Sequence, residues 1–149
     1  MGKQVKPANA AAVTRVLTRN GIGKSELHHA ARGMVRGGWS EYTRGVRSEQ
    51  CMNRERDWDY RKVAGTWQRV RVPVNKPNGV VEVHYEQGSG TRYASSEKRR
   101  SIACGVLAEA EQHLQAAGYQ VDRVNFEHET YSPSLFVWRA DENGERIRP

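Results

Sequence analysis

Residues 96–117 restrict how this chain can fold more than any other segment. Ile102, Ala103, Val106, Leu107, Ala110, Leu114 and Ala117 recur at helical spacing and draw one apolar stripe along a polar segment. A helix of that kind owes most of its stability to whatever covers the stripe. Gly118 supplies its stop, and Tyr119 stands where a glycine cap is followed by a hydrophobic contact. The covering surface must come from segments of alternating character. Val70, Val72 and Val74 alternate with Arg69, Arg71 and Pro73, and Val81, Val83 and Tyr85 alternate with Glu82, His84 and Glu86. Between them, Asn75-Lys76-Pro77-Asn78-Gly79 is strong turn chemistry. Matching the apolar faces predicts a hairpin with Val74 opposite Val81, Val72 opposite Val83 and Val70 opposite Tyr85. Its other face then sets Arg69 against Glu86 and Arg71 against His84.

The remaining segments supply shorter elements. Residues 1–7 read as a flexible arm. Ala12, Val13, Val16 and Leu17 give residues 8–19 a helical period, and Asn20-Gly21 ends it. Ser25 caps a second helix carrying Leu27, Ala30, Ala31, Met34 and Val35, which stops at Gly37-Gly38. Residues 41–48 alternate weakly, as a first strand. Residues 53–65 are densely charged around Trp58 and Tyr60 and read as a loop whose aromatics fold back onto the body. Residues 119–129 and 135–140 read as strands joined at Ser132-Pro133-Ser134, and the polar residues 141–149 as a tail that frays. The order α-α-β-β-β-α-β-β predicts an α+β protein: an N-terminal helical hairpin, residues 8–38, then an antiparallel sheet with one long helix on a face, residues 39–140. Residues 8–140 thus make a single domain.

Charge narrows the classes of function. The chain of 149 residues carries 24 basic and 17 acidic side chains, a net +7. The excess lies in the first hundred residues, whereas the remainder is acidic, and arginine far outnumbers lysine. Arginine forks suit phosphate and carboxylate. A head-to-tail pairing of acidic and basic ends is compatible with a small homo-oligomer as well as a monomer. No apolar run is long enough to span a membrane. The opening residues lack a signal-peptide core, and Lys6 stands where myristoylation wants Ser or Thr, so a cytoplasmic protein is expected. Cys51 and Cys104 make no disulfide framework.

Several short motifs invite chemistry and give little. Gly23-Lys24-Ser25 resembles the end of a phosphate-binding loop, but Thr18 occupies the position of the required glycine and a helix precedes it instead of a strand. The first two helices suggest a helix-turn-helix that offers Arg32 and Arg36 outward, although Leu17 is large for close helix packing. His28 and His29 are adjacent, while His84, His113, His128 and both cysteines are scattered, so no metal site and no cofactor are expected. Glu127-His128-Glu129 places two carboxylates on one face of a predicted strand without a nucleophile beside them.

The strongest lead is the start of the long helix. Arg92, Ser95, Ser96, Lys98, Arg99 and Arg100 gather there, although a helix N-terminus prefers acids. Free backbone N–H groups, hydroxyls and cations together suit a phosphate. Trp39, Trp58, Trp67 and Trp138 lie among arginines, and on β alternation Trp67, Arg69 and Arg71 share a face. Aromatics interleaved with arginine can stack bases.

Val13-Thr14-Arg15-Val16-Leu17, Gly21 with Lys24-Ser25, Arg36 to Trp39 with Tyr42 and Gly45, the stretch 80–88 and Ala116-Ala117-Gly118-Tyr119 are shared features. Through them the chain resembles a loose group of small uncharacterised proteins of actinobacteria and their phages. The resemblance implies an accessory protein, carries no catalytic motif and assigns no residue a role. The expectation is a non-enzymatic protein that binds nucleic acid through Arg32, Arg36, Arg69, Arg71, Arg92, Ser95, Ser96, Lys98, Arg99 and Arg100. The alternative is a module that grips a host protein with Trp39, Trp58 and Tyr60 as anchors.

Overall fold

The computed structural model describes residues 5–23, 45–53, 58–72, 76–86, 96–128 and 130–149. Within them the chain is α+β, combining helix with antiparallel sheet. The elements run α1 (Ala10–Arg19), β1 (Val46–Asn53), β2 (Trp58–Val63), β3 (Thr66–Arg71), β4 (Lys76–Tyr85), α2 (Ser96–Ala116), β5 (Gln120–Val124) and β6 (Ser134–Trp138). The second helix expected from Ser25 lies outside the described residues, as do residues 41–44 of the expected first strand.

Both helices are closed by local chemistry. The Asn9 side chain accepts from the Ala12 amide at 2.9 Å and caps α1. At its other end the Ile22 amide donates to the Leu17 carbonyl at 2.9 Å and the Gly21 amide to Thr18 at 3.1 Å. The same pair of bonds closes α2, from Tyr119 to Leu114 and from Gly118 to Gln115, both at 3.0 Å. In each case a glycine in the left-handed region turns the chain, and the hydrophobic residue after it is buried.

The main sheet has the order β1-β4-β6-β5, antiparallel throughout. Its inner face presents Val46, Val81, Val83, Leu135 and Val137, all buried. Val13, Val16 and Leu17 of α1 and Leu107, Ala110 and Leu114 of α2 complete the same core. The stripe on the long helix therefore lies on the sheet, as its spacing predicts. Gln50 ties α1 to the sheet: its amide nitrogen donates to the Val80 carbonyl at 3.1 Å, and its oxygen accepts from the Ala10 amide at 3.3 Å.

The expected valine hairpin does not form. Val81 faces Gln50 and Val137, Val83 faces Ser48 and Leu135, and Tyr85 faces Val46. Strand β3 pairs instead with β2, in a separate ribbon that sets Trp58 opposite Arg71 and Tyr60 opposite Arg69. Residues 58–63 are thus a strand and not a loop. Ala64 and Gly65 both have positive φ, 50° and 83°, the geometry of a two-residue hairpin turn. That tight turn pairs β3 with the segment before it and leaves β4 free for β1 and β6. Alternation fixes which side chains face the core, but it does not name the neighbouring strand.

One further expectation is corrected. Strand β5 ends at Val124, so Glu127 and His128 lie in the connection to β6. There His128 Nδ1 accepts from the amides of Thr130 and Tyr131 at 3.1 and 3.2 Å. The closing residues carry hydrogen bonds of their own. They turn at Asp141, whose carboxylate accepts from the Asn143 and Glu145 amides at 2.8 and 2.9 Å. The Ile147 amide then donates to the Arg139 carbonyl at 2.8 Å. Gly79, at φ 83°, lets this tail lie against β4, because a Cβ there would collide with the Ile147 carbonyl oxygen. Gly79→Ala should therefore lower stability by about 1–3 kcal/mol, read as a shift in the urea unfolding midpoint.

Candidate nucleic-acid interface

The side chains expected to contact a ligand fall into two groups. Arg32, Arg36, Trp39, Arg92 and Ser95 lie outside the described residues. Of the others, Trp58, Tyr60, Arg69 and Arg71 belong to the ribbon, and Ser96, Lys98, Arg99 and Arg100 to the first turns of α2.

The ribbon sorts its side chains by parity. Directly paired residues share a face, as do residues two apart. The pairs Trp58 with Arg71, Tyr60 with Arg69 and Lys62 with Trp67 therefore put three aromatics and three cations on one face, with no acid among them. Tyr60 and Trp67 are exposed, at 58% and 68%. The Arg69 guanidinium lies 4.3 Å from the centre of the Trp58 ring, and Trp58 meets Tyr60 edge-on at 5.3 Å. The sequence alone does not single out Lys62, because its segment carries charges of both signs and reads as loop.

Both faces of the ribbon meet the tail: Lys62 of the aromatic face lies 4.0 Å from Glu145, and the opposite face holds Asp59 and Arg61. Asp59 lies 3.4 Å from the Arg148 guanidinium and 3.8 Å from Arg61. Arg61, Arg146 and Arg148 crowd this seam: burial first, then the neighbouring Arg146 and Arg61, lower the Arg148 guanidinium from its ordinary value. An open cleft of about 920 Å³ runs from Tyr60, Lys62 and Trp67 to Trp138, Asp122 and Glu145. These arginines were not foreseeable as a group, since a tail read as frayed holds nothing in place.

At the start of α2 the cations do different work. Arg100 donates to the main-chain carbonyls of Tyr131, at 2.9 Å, and Asn125. It clamps the β5–β6 connection against the helix, so its guanidinium is committed to the fold. Arg99 lies 3.5 Å from the Ser96 hydroxyl. Ser96, Arg99 and Arg100 line a groove of about 830 Å³ together with Arg47, His84 and Tyr131. This groove and the ribbon cleft have no lining residue in common. The sequence reading misses Arg47, which lies in a segment whose alternation is weak.

Neither cysteine is poised as a nucleophile. Burial pushes both thiols up, and at Cys51 the Glu82 carboxylate adds to the effect. Both stay protonated at neutral pH.

Compared with known protein families, curated proteins and solved structures, the chain matches none.

The two arginines at the helix start should separate on mutation. Arg100→Ala leaves two carbonyls without their donor and should cost about 1–3 kcal/mol in urea unfolding. Arg99→Ala should change stability by less than about 0.5 kcal/mol.

Proposed function

We propose that the protein binds single-stranded nucleic acid on the aromatic face of the β2–β3 ribbon. One observation carries this reading: Tyr60 and Trp67 are exposed on a ribbon face whose own side chains include Arg69 and Arg71 and no acid, while Lys62 of that face lies 4.0 Å from Glu145 of the tail. Exposed rings offer stacking surface to any base, while the cations run beside them to meet the phosphates. Contacts of this kind bind strongly without reading sequence. The groove lined by Ser96, Arg99 and Arg47 gives the backbone a second cationic surface. We take its role to be accessory and non-enzymatic, in line with the resemblance read from the sequence to small phage and actinobacterial proteins. No described helix is long and apolar enough to cross a membrane.

A second reading is supported by the packing of Trp58, which is half-buried and held between Tyr60 and Arg69. A rigid indole so placed suits the anchor of a protein interface, with a host protein as the partner.

Fluorescence anisotropy with labelled single strands of DNA and RNA separates the two. Affinity should fall linearly in log salt, and Arg69→Ala should reduce the slope by about 0.7. Trp67→Ala should weaken binding by about 1–3 kcal/mol with little change in slope. Absence of binding at low salt would overturn the nucleic-acid reading and leave the protein partner.

A further inference from the structure

The strand pairing brings together three side chains that the sequence keeps apart. Glu49 of β1 stands directly opposite Glu82 of β4, and His84 follows two residues along the same face. Like charges placed directly across two strands repel. Here both carboxylates turn toward one nitrogen: His84 Nε2 lies 3.2 Å from Glu82 Oε1 and 3.4 Å from Glu49 Oε2.

The other oxygen of each carboxylate is occupied. Arg47 contacts Glu49 Oε1 at 3.0 Å, and the hydroxyl of buried Ser134 donates to Glu82 Oε2 at 2.9 Å. Each acid is thus held from behind and presents its remaining oxygen to the imidazole. His84 Nε2 is itself shielded from solvent and has no hydrogen-bond partner, so its approach to the carboxylates does not amount to a bond with either. A buried nitrogen without a partner is costly, and here it points to a missing one.

From these contacts we infer that Glu49, Glu82 and His84 form a site for a divalent transition-metal ion of the zinc class. The spacing fits: donors about 2.0 Å from a tetrahedral ion stand about 3.3 Å apart. All three donor atoms lie within 4.8 Å of one another. One imidazole and two carboxylates are ordinary zinc donors, and a doubly charged ion neutralises the two acids. Three protein ligands leave a coordination position for solvent. Arg47 and Ser134 act as outer partners that orient the ligands. His84 and Arg47 also line the groove at the start of α2, so the ion sits at its wall. The site shares no residue with the ribbon, on which the nucleic-acid reading chiefly rests.

The test uses the full chain stripped with EDTA. Calorimetric titration with zinc should show one ion per chain, and cobalt should give the visible absorption of a four-coordinate ion. His84→Ala and Glu82→Gln should abolish both signals. Ser134→Ala, which keeps all three ligands, should weaken zinc about 10-fold. Replacing Cys51 and Cys104 together with serine should leave binding unchanged. If His84→Ala fails to fold, Glu49→Gln on the edge strand gives the same readout. Undiminished binding in these ligand variants overturns the assignment. So does a wild-type protein that takes up neither zinc nor cobalt.

Discussion

Strand β4 is the constraint on which the rest of the structure hangs. It is hydrogen-bonded on both edges, to β1 and β6, so each side chain it carries has a fixed neighbour on either side. Val81 and Val83 point inward and are fully buried against α1 and α2. Parity then obliges Glu82 and His84 to point outward, next to Glu49 and Ser134. A slip of one residue would bury a carboxylate and an imidazole in the core. The polar cluster on the outer face is therefore a geometric consequence of hydrophobic burial on the inner one.

The long helix is fixed to this sheet by unlike means at its two ends. At its C-terminus the fixing is local: Gly118 turns the chain, Tyr119 is buried, and the Arg139 guanidinium lies 4.2 Å from the centre of the tyrosine ring. Within its last two turns, Glu111 also receives two hydrogen bonds from Arg123 of β5, at 2.8 and 3.0 Å. Near its N-terminus Arg100 reaches across to the β5–β6 connection. The cations at that end contravene the helix dipole locally. For Arg100 the compensation is structural, through carbonyls supplied by another element.

What could be read from the sequence divides by range of interaction. Helix α2, its stop at Gly118 and the buried Tyr119 are legible because each depends on residues a few positions apart. So is the shared face of Trp67, Arg69 and Arg71, which follows from strand parity alone. The partner of β3 is not legible. Val70 and Val72 fit a hairpin with β4 as well as a ribbon with β2, and the modest Ala64-Gly65 turn decides between them. Charge misleads in residues 58–63, where Asp59, Arg61 and Lys62 suggest solvent although the backbone is paired. The meeting of Glu49 with His84 joins residues far apart in the chain through a register that no local pattern specifies. Arg148 holds Asp59 by the same kind of long-range contact, hidden in a segment that reads as a polar end.

Among the described residues, no element of the four-stranded sheet packs broadly against the ribbon. Its ties to the body include Arg148 with Asp59 and Lys62 with Glu145 at 4.0 Å, both partly exposed ion pairs. Mobile ions screen such pairs on the same length scale as they screen phosphates. Raising the ionic strength thus acts twice, on the cations of the ribbon face and on the ion pairs that tie the ribbon to the tail. The ribbon is held to the body in part by contacts that weaken as salt rises.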